Sequence, residues 1–255
     1  MTNMRAAWLI GALAIALAAV PVHAEEKLSH GRFATVTLYR PAGPVKSVVL
    51  FLSGDGGWNL GVVDMAQALA NEGALVAGVD VPQLLANLEK DNESCVSPDG
   101  DLENLSHYVQ SYAALPTYHE PVLVGYSSGA TLAYAMLAQA PTNTFAGALS
   151  LGFCPDLLLK KPLCGGEGLK FTRRKNDGGI DVQPSAKIGN PWIAVNGALD
   201  QVCDLAMTRD FVSQAHNATL VELVTVMGDY VMVGMVMTAI DQHLPDNRPA
   251  LLPPR

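Results

Sequence analysis

Residues 121–133 constrain the fold of this chain more than any other stretch. The apolar run Pro121-Val122-Leu123-Val124 passes without a spacer into Gly125-Tyr126-Ser127-Ser128-Gly129, and the small residues Ala130-Thr131-Leu132-Ala133 follow. A buried strand, a sharp turn and a small-residue helix in that order are the setting of a G-x-S-x-G nucleophile elbow. The spacing has a physical cause. Glycines at 125 and 129 remove side chains that would collide where strand and helix pack tightly. Ser127 then projects at the carboxyl edge of a sheet, and the Ser128 amide can donate to an oxyanion in the same space.

The rest of the chain has the pattern such a sheet needs. Apolar or β-branched runs predict strands at 33–39, 46–53, 75–81, 121–125, 145–151, 192–197 and 219–226. Helical spacing falls between them at 62–71, 101–114, 128–139 and 208–215, with Asp101 a candidate N-cap. Strands alternating with helices predict βαβ units. The expected fold is α/β, α/β-hydrolase-like, with a mostly parallel central sheet and helices on both faces. The stretches 84–100 and 155–189 read as long irregular loops, which tend to be lids or substrate-binding segments.

Two further segments supply chemistry. Leu52-Ser53-Gly54-Asp55-Gly56-Gly57-Trp58 directly follows an early strand. Gly54, Asp55 and Gly56 are candidate oxyanion donors, because a glycine-rich backbone can approach a ligand closely. A carboxylate at 55 would oppose an oxyanion, so Asp55 is expected to cap the turn, while Trp58 predicts a packed loop. Asn196-Gly197-Ala198-Leu199-Asp200 ends a late strand. Asp200 is the candidate acid, since this fold places Ser, acid and His in that order. Asp204 reads instead as the start of a helix.

Composition narrows the partners. The 255 residues carry 16 Lys+Arg against 24 Asp+Glu, for a net charge of -8, and 49% are hydrophobic. That is too apolar for a disordered chain and too acidic for a nonspecific nucleic-acid binder. No His/Asp/Glu cluster has metal-ligand spacing, and the glycine run lacks the G-K-[ST] of a nucleotide loop. No metal or cofactor is expected. A lipid-linked or small ester is the expected substrate.

Arg5, the uncharged run 6–20 and the segment Val22-His23-Ala24 form an export signal, with cleavage expected after Ala24. The run is short of the ~20 residues that span a bilayer. The expected organisation is a signal peptide over 1–24 and a single domain over 25–255, placed in a periplasm. Four cysteines, Cys95, Cys154, Cys164 and Cys203, suit an oxidising compartment, and they allow three pairings. Cys154 and Cys164 flank a short Pro-bounded loop. They form the plausible local pair, which leaves Cys95 with Cys203.

At these residues the sequence resembles the bacterial VirJ/AcvB virulence-protein family of exported α/β-hydrolase-like proteins. The resemblance rests on the segments 52–58, 124–132, Leu149-Ser150-Leu151-Gly152-Phe153-Cys154-Pro155-Asp156-Leu157 and Asp200-Gln201-Val202-Cys203. It implies a periplasmic serine esterase. Some members are linked to removing the amino acid from aminoacyl-phosphatidylglycerol, others to type IV secretion. Ser127 and Asp200 would be nucleophile and acid, and Ser128 with the Gly54–Gly57 loop would form the oxyanion site. Secretion substrates and the surface of the inner membrane are the implied partners.

One departure stands out. Where the family has a Gly-His-Gly turn after the last strand, this chain reads Val226-Met227-Gly228-Asp229-Tyr230-Val231. Asp229 replaces the expected base. His119 and His216 precede strands and so belong at the far edge of the sheet. His243 follows Asp229 by fourteen residues, about 21 Å if helical. His107, early in a helix that opens near the active edge, is the substitute that geometry tolerates. A serine hydroxyl without a base is a poor nucleophile at neutral pH. A hydrolase-like fold that only binds, taking a secretion substrate or an anionic lipid, is therefore the competing expectation.

Overall fold

The computed structural model describes residues 25–224; the expected export signal at 1–24 and the segment 225–255, with Asp229 and His243, lie outside the described residues. Among the described residues the central sheet has eight strands, in the order β1-β2-β4-β3-β5-β6-β10-β11. Its parallel body is β3 (Ser47–Leu52), β4 (Ala74–Val79), β5 (Val122–Tyr126), β6 (Gly147–Leu151), β10 (Trp192–Gly197) and β11 (Ala218–Leu223). β1 (Glu26–Ser29) and β2 (Thr35–Tyr39) pair antiparallel with each other, and β2 pairs antiparallel with β4. The chain reverses between them through a 3-10 turn at Gly31–Phe33.

The uninterrupted apolar runs arise because both faces of the sheet are covered. In β3, Val48, Leu50 and Leu52 face one core cluster and Val49 and Phe51 the other. The first face packs α2 (Val81–Leu88), α3 (Pro98–Tyr112), α4 (Ser128–Gln139) and α5 (Leu205–Gln214); the second packs α1 (Gly61–Asn71). No helix among the described residues is long and apolar enough to cross a membrane.

Several expectations need correction. The stretch 84–100 is irregular only over 89–97: α2 fills its start, with Asp80 as N-cap accepting from Gln83 N, and α3 begins at Pro98. Asp101 is not a cap. The N-cap of α3 is Ser97, and Asp101 accepts two hydrogen bonds from Arg32, which also pairs with Asp91. The stretch 155–189 holds a second, three-stranded sheet built from β7 (Asp156–Leu157), β9 (Ile180–Val182) and β8 (Phe171–Arg173). Asp204 is the N-cap of α5, as expected, and accepts from Ala206 N and Met207 N.

The disulfide pairing also differs. The bonds are Cys95–Cys164 and Cys154–Cys203. The chain after Cys154 leaves as strand β7, so Cys164 is carried away from it. Val96 N donates to Pro162 O and Cys164 N to Val96 O, which sets Cys164 beside Cys95. Cys95–Cys164 therefore ties the inserted sheet to the approach of α3.

Candidate active site

The elbow is held by close packing. Ser127 sits at φ 54°, ψ -122°, between β5 and α4. A non-glycine residue in this region is strained and persists only where its surroundings over-determine it. The surroundings do so here. A Cβ on Gly125 would lie 2.0 Å from Gly129 O, and one on Gly129 would lie 2.3 Å from both Leu52 O and Ser53 O. The first turn of α4 thus rests against the end of β3. Ser127 N donates to Leu151 O at 2.9 Å, which fixes the turn to β6 as well.

The glycine loop after β3 lies against the same serine. A Cβ on Gly54 would come 3.0 Å from Ser127 Cβ, so glycine there lets the loop approach the hydroxyl. Gly54, Asp55 and Gly56 amides donate to no acceptor among the described residues. Ser128 opens α4, so its amide has no intrahelical acceptor either. These free donors lie in the two segments that meet at Ser127. Asp55 does not cap the turn. It is exposed, and Asn59 Nδ2 closes the turn on Gly56 O at 2.6 Å. Trp58 is packed as expected: its indole meets Phe51 edge-on and donates to Tyr39 Oη at 3.1 Å.

Sequence reasoning missed the residue that pins this loop. One Asp80 oxygen accepts from Trp58 N at 3.0 Å, and the other from Gln83 N at 2.9 Å. Asp80 therefore caps α2 and fixes the glycine loop together. The segment Asp80-Val81-Pro82-Gln83 carries the signal, an acidic N-cap with proline in the first turn. Asp80→Ala is expected to cost about 1–2 kcal/mol in urea unfolding. It should also slow any chemistry that uses the loop amides, measured as the rate of Ser127 modification in the folded variant.

Asp200 follows β10 in an exposed turn. Its Oδ1 accepts from Val202 N at 2.9 Å and Cys203 N at 3.0 Å, and its own amide donates to Gly197 O. One carboxylate oxygen is thereby anchored by backbone, and Oδ2 has no partner among the described residues. That is the state in which a carboxylate can orient a further donor.

Two clefts meet at Ser127. One, of about 410 Å³, is bounded by Asp55, Ser128, Thr131, the Cys154–Cys203 bridge and the inserted sheet. From that sheet and its loops come Asp156, which the segment 149–157 contains, and Leu158, Arg174 and Asp177, which no motif had signalled. Arg174 bonds Asp156 and Asp177, each at 2.8 Å. The other cleft, of about 370 Å³, runs under the glycine loop to Leu60, Val62, Met65 and Tyr126. Asp200 lines neither cleft, although its neighbours Val202 and Cys203 line the first.

Among the described residues, no histidine lines either cleft. His107 is the tenth residue of α3 rather than an early one, and it is exposed and stacked on Tyr118 at 4.2 Å. Tyr118 precedes β5, so His107 belongs to the amino edge of the sheet, opposite Ser127. His119 and His216 also precede strands. Burial holds the His119 pKa below its ordinary value. His30 stacks on Tyr108. No group of three or more metal-ligating side chains occurs among the described residues.

Residues 46–150 match the family described as bacterial virulence protein VirJ, which bears out the resemblance carried by the glycine loop and the elbow. Solved structures similar in fold include an α/β serine hydrolase without a lid from Xanthomonas campestris, at 19% identity and TM-score 0.54, covering 88% of this chain and 95% of that one. The esterase domain of a Rhodothermus marinus protein is 15% identical with TM-score 0.52, covering 85% of this chain and 96% of that one. Acylaminoacyl peptidase of Pyrococcus horikoshii is 11% identical with TM-score 0.61, covering 89% of this chain and 42% of that one. At these identities the likeness concerns the fold alone, and the fold is that of the α/β hydrolases. No curated protein matches the chain in sequence.

Proposed function

We propose that this chain, matched to the VirJ family over residues 46–150, is an exported serine esterase in which Ser127 is the nucleophile. The observation that carries the reading is the strained Ser127 backbone set against the free amides of the Gly54 loop and Ser128. Attack of the hydroxyl on an ester carbonyl puts negative charge on the carbonyl oxygen. Two or more preorganised backbone donors at that position lower the barrier by several kcal/mol, at about 3 kcal/mol per donor. Asp200, with one oxygen tethered and one free, is the acid. Two disulfides and the family match support export. The leader at 1–24 and a single domain from residue 25 belong to the same reading. An aminoacyl ester of a phospholipid is the substrate it favours, met at the inner-membrane surface.

Asp229 in the position of the family's histidine favours a second reading, a hydrolase fold that binds a lipid or a secretion substrate without turnover. A fluorophosphonate probe separates the two. Labelling of the protein that disappears in Ser127→Ala supports the esterase. Absence of labelling between pH 6 and 9, with partner capture unchanged in Ser127→Ala, supports the binder.

A further inference from the structure

The turn that carries Asp200 has few anchors. It runs from Ala198 to Val202, and its apolar tips are bare, with Leu199 60% and Val202 84% exposed. At its start, Ala198 N donates to Leu223 O of β11. At its end stands Cys203, which does two things at once. Its amide donates to Asp200 Oδ1 at 3.0 Å, and its sulfur is bonded to Cys154.

Cys154 lies three residues beyond β6 and is fixed to the elbow: Thr131, on the helix of the elbow, donates its hydroxyl to Cys154 O at 2.5 Å. The path from Asp200 to the Ser127 elbow therefore runs through one covalent bond. Noncovalent ties run beside it: Asp200 N donates to Gly197 O at the end of β10, β10 pairs with β6, and Leu151 O of β6 accepts from Ser127 N, while a further strut reaches Cys203 itself. Buried Asn196 accepts from Phe153 N and donates to Cys203 O at 3.2 Å. That strut holds the carbonyl side of Cys203 and leaves the amide that grips Asp200 free to turn away.

We propose that the Cys154–Cys203 disulfide is a positioning device for Asp200, so that the candidate site assembles only when this pair is oxidised. The catalytic consequence rests on the reading of Asp200 as the acid; the structural consequence does not. Both half-cystines border the larger cleft beside Ser127; Cys203 is buried and Cys154 is partly exposed, so a small dithiol approaches the bond from the Cys154 side. In the reduction, the dithiol gives two electrons and two protons, the sulfur–sulfur bond breaks to two thiols, and the dithiol closes to its own disulfide. With the bond gone, the exposed turn gains freedom and Asp200 loses its two-amide grip. Such a protein would be idle while reduced and assembled once in an oxidising compartment.

The test uses the variant Cys95→Ala/Cys164→Ala, in which only the Cys154–Cys203 bond remains to be reduced. Amide hydrogen exchange is followed by NMR before and after dithiothreitol, and also in Cys154→Ala/Cys203→Ala. Exchange at Val202 and Cys203 is expected to speed up at least tenfold on loss of the bond, while amides in the middle of α4 keep their rates. Fluorophosphonate labelling of Ser127 should fall in parallel, and in Asp200→Ala the bond should make no difference to labelling. Unchanged exchange at Val202 and Cys203 would overturn the proposal. If labelling is absent in every form while the exchange changes as expected, the esterase reading fails and the positioning role stands. If Cys154→Ala/Cys203→Ala does not fold, the reduced form of the first variant gives the same comparison.

Discussion

Asp229→His is expected to raise hydrolysis of a short-chain nitrophenyl ester by roughly 10²-fold or more, the usual contribution of a positioned general base. The gain should vanish when Ser127→Ala is added. The elbow, the free amides and Asp200 occupy the carboxyl edge of β3, β5 and β10. None of His30, His107, His119 or His216 lines a cleft at Ser127. The resemblance implies a histidine at the position where this chain has Asp229. A carboxylate can take a proton but has no second ring nitrogen to be held by an acid while it does so. Oxyanion donors and binding alone leave residual catalysis, so the unaltered protein should be slow rather than inert. A failure to gain activity with the fold intact would refute the assignment. His107→Ala is expected to change nothing, given its stack on Tyr118 far from Ser127. A fast protein that loses activity in His107→Ala would overturn the assignment of the missing base.

The parts legible in the sequence are those set by local pattern. α4 begins and ends at Ser128 and Gln139, and β10 at Trp192 and Gly197, where the periodicity places them. Each is flanked by a turn signal; α4 is buried all round from Gly129 to Gln139 and β10 at every position. α2 is illegible for a local reason too. The apolar run of β4 continues through Val81 and hides the change of period, and only Asp80 and Pro82 mark it. The inserted sheet is a different case. Its strands are two or three residues long, too short for a period, and Arg174 joins Asp156 to Asp177 across residues that no spacing rule connects. The cysteine pairing fails for the same reason, since Cys164 meets Cys95 through a bridge 69 residues long. Ser127, Ser128, Gly54 and Asp200 could be named because catalytic groups of this fold sit just past strand ends, which sequence marks well. One cleft beside them is walled in part by the insertion, whose place at 155–189 the sequence marks as a binding segment but whose strands it does not.

Gly129→Ala should destabilise the fold by about 3 kcal/mol or more, against about 1 kcal/mol or less for Gly56→Ala. Both replace one hydrogen by one methyl group within the same candidate site, so the difference isolates packing. At Gly129 the new carbon would lie 2.3 Å from two carbonyl oxygens at the end of β3, and neither can retreat without breaking the sheet. At Gly56 the nearest atom, Asn59 Oδ1, is 4.0 Å away, and it ends a side chain that can move. Close-packed interiors transmit such a clash rather than absorb it. The helix would have to withdraw from β3, and Ser127 would lose the constraint that keeps it at φ 54°. Chemical unfolding of the two variants checks the stability difference. Fluorophosphonate labelling of whatever Gly129→Ala remains folded checks the second consequence, with slower labelling expected. Gly129→Ala unfolding at the same denaturant concentration as the unaltered protein would mean that α4 does not rest on β3, and the account of the elbow would fall with it.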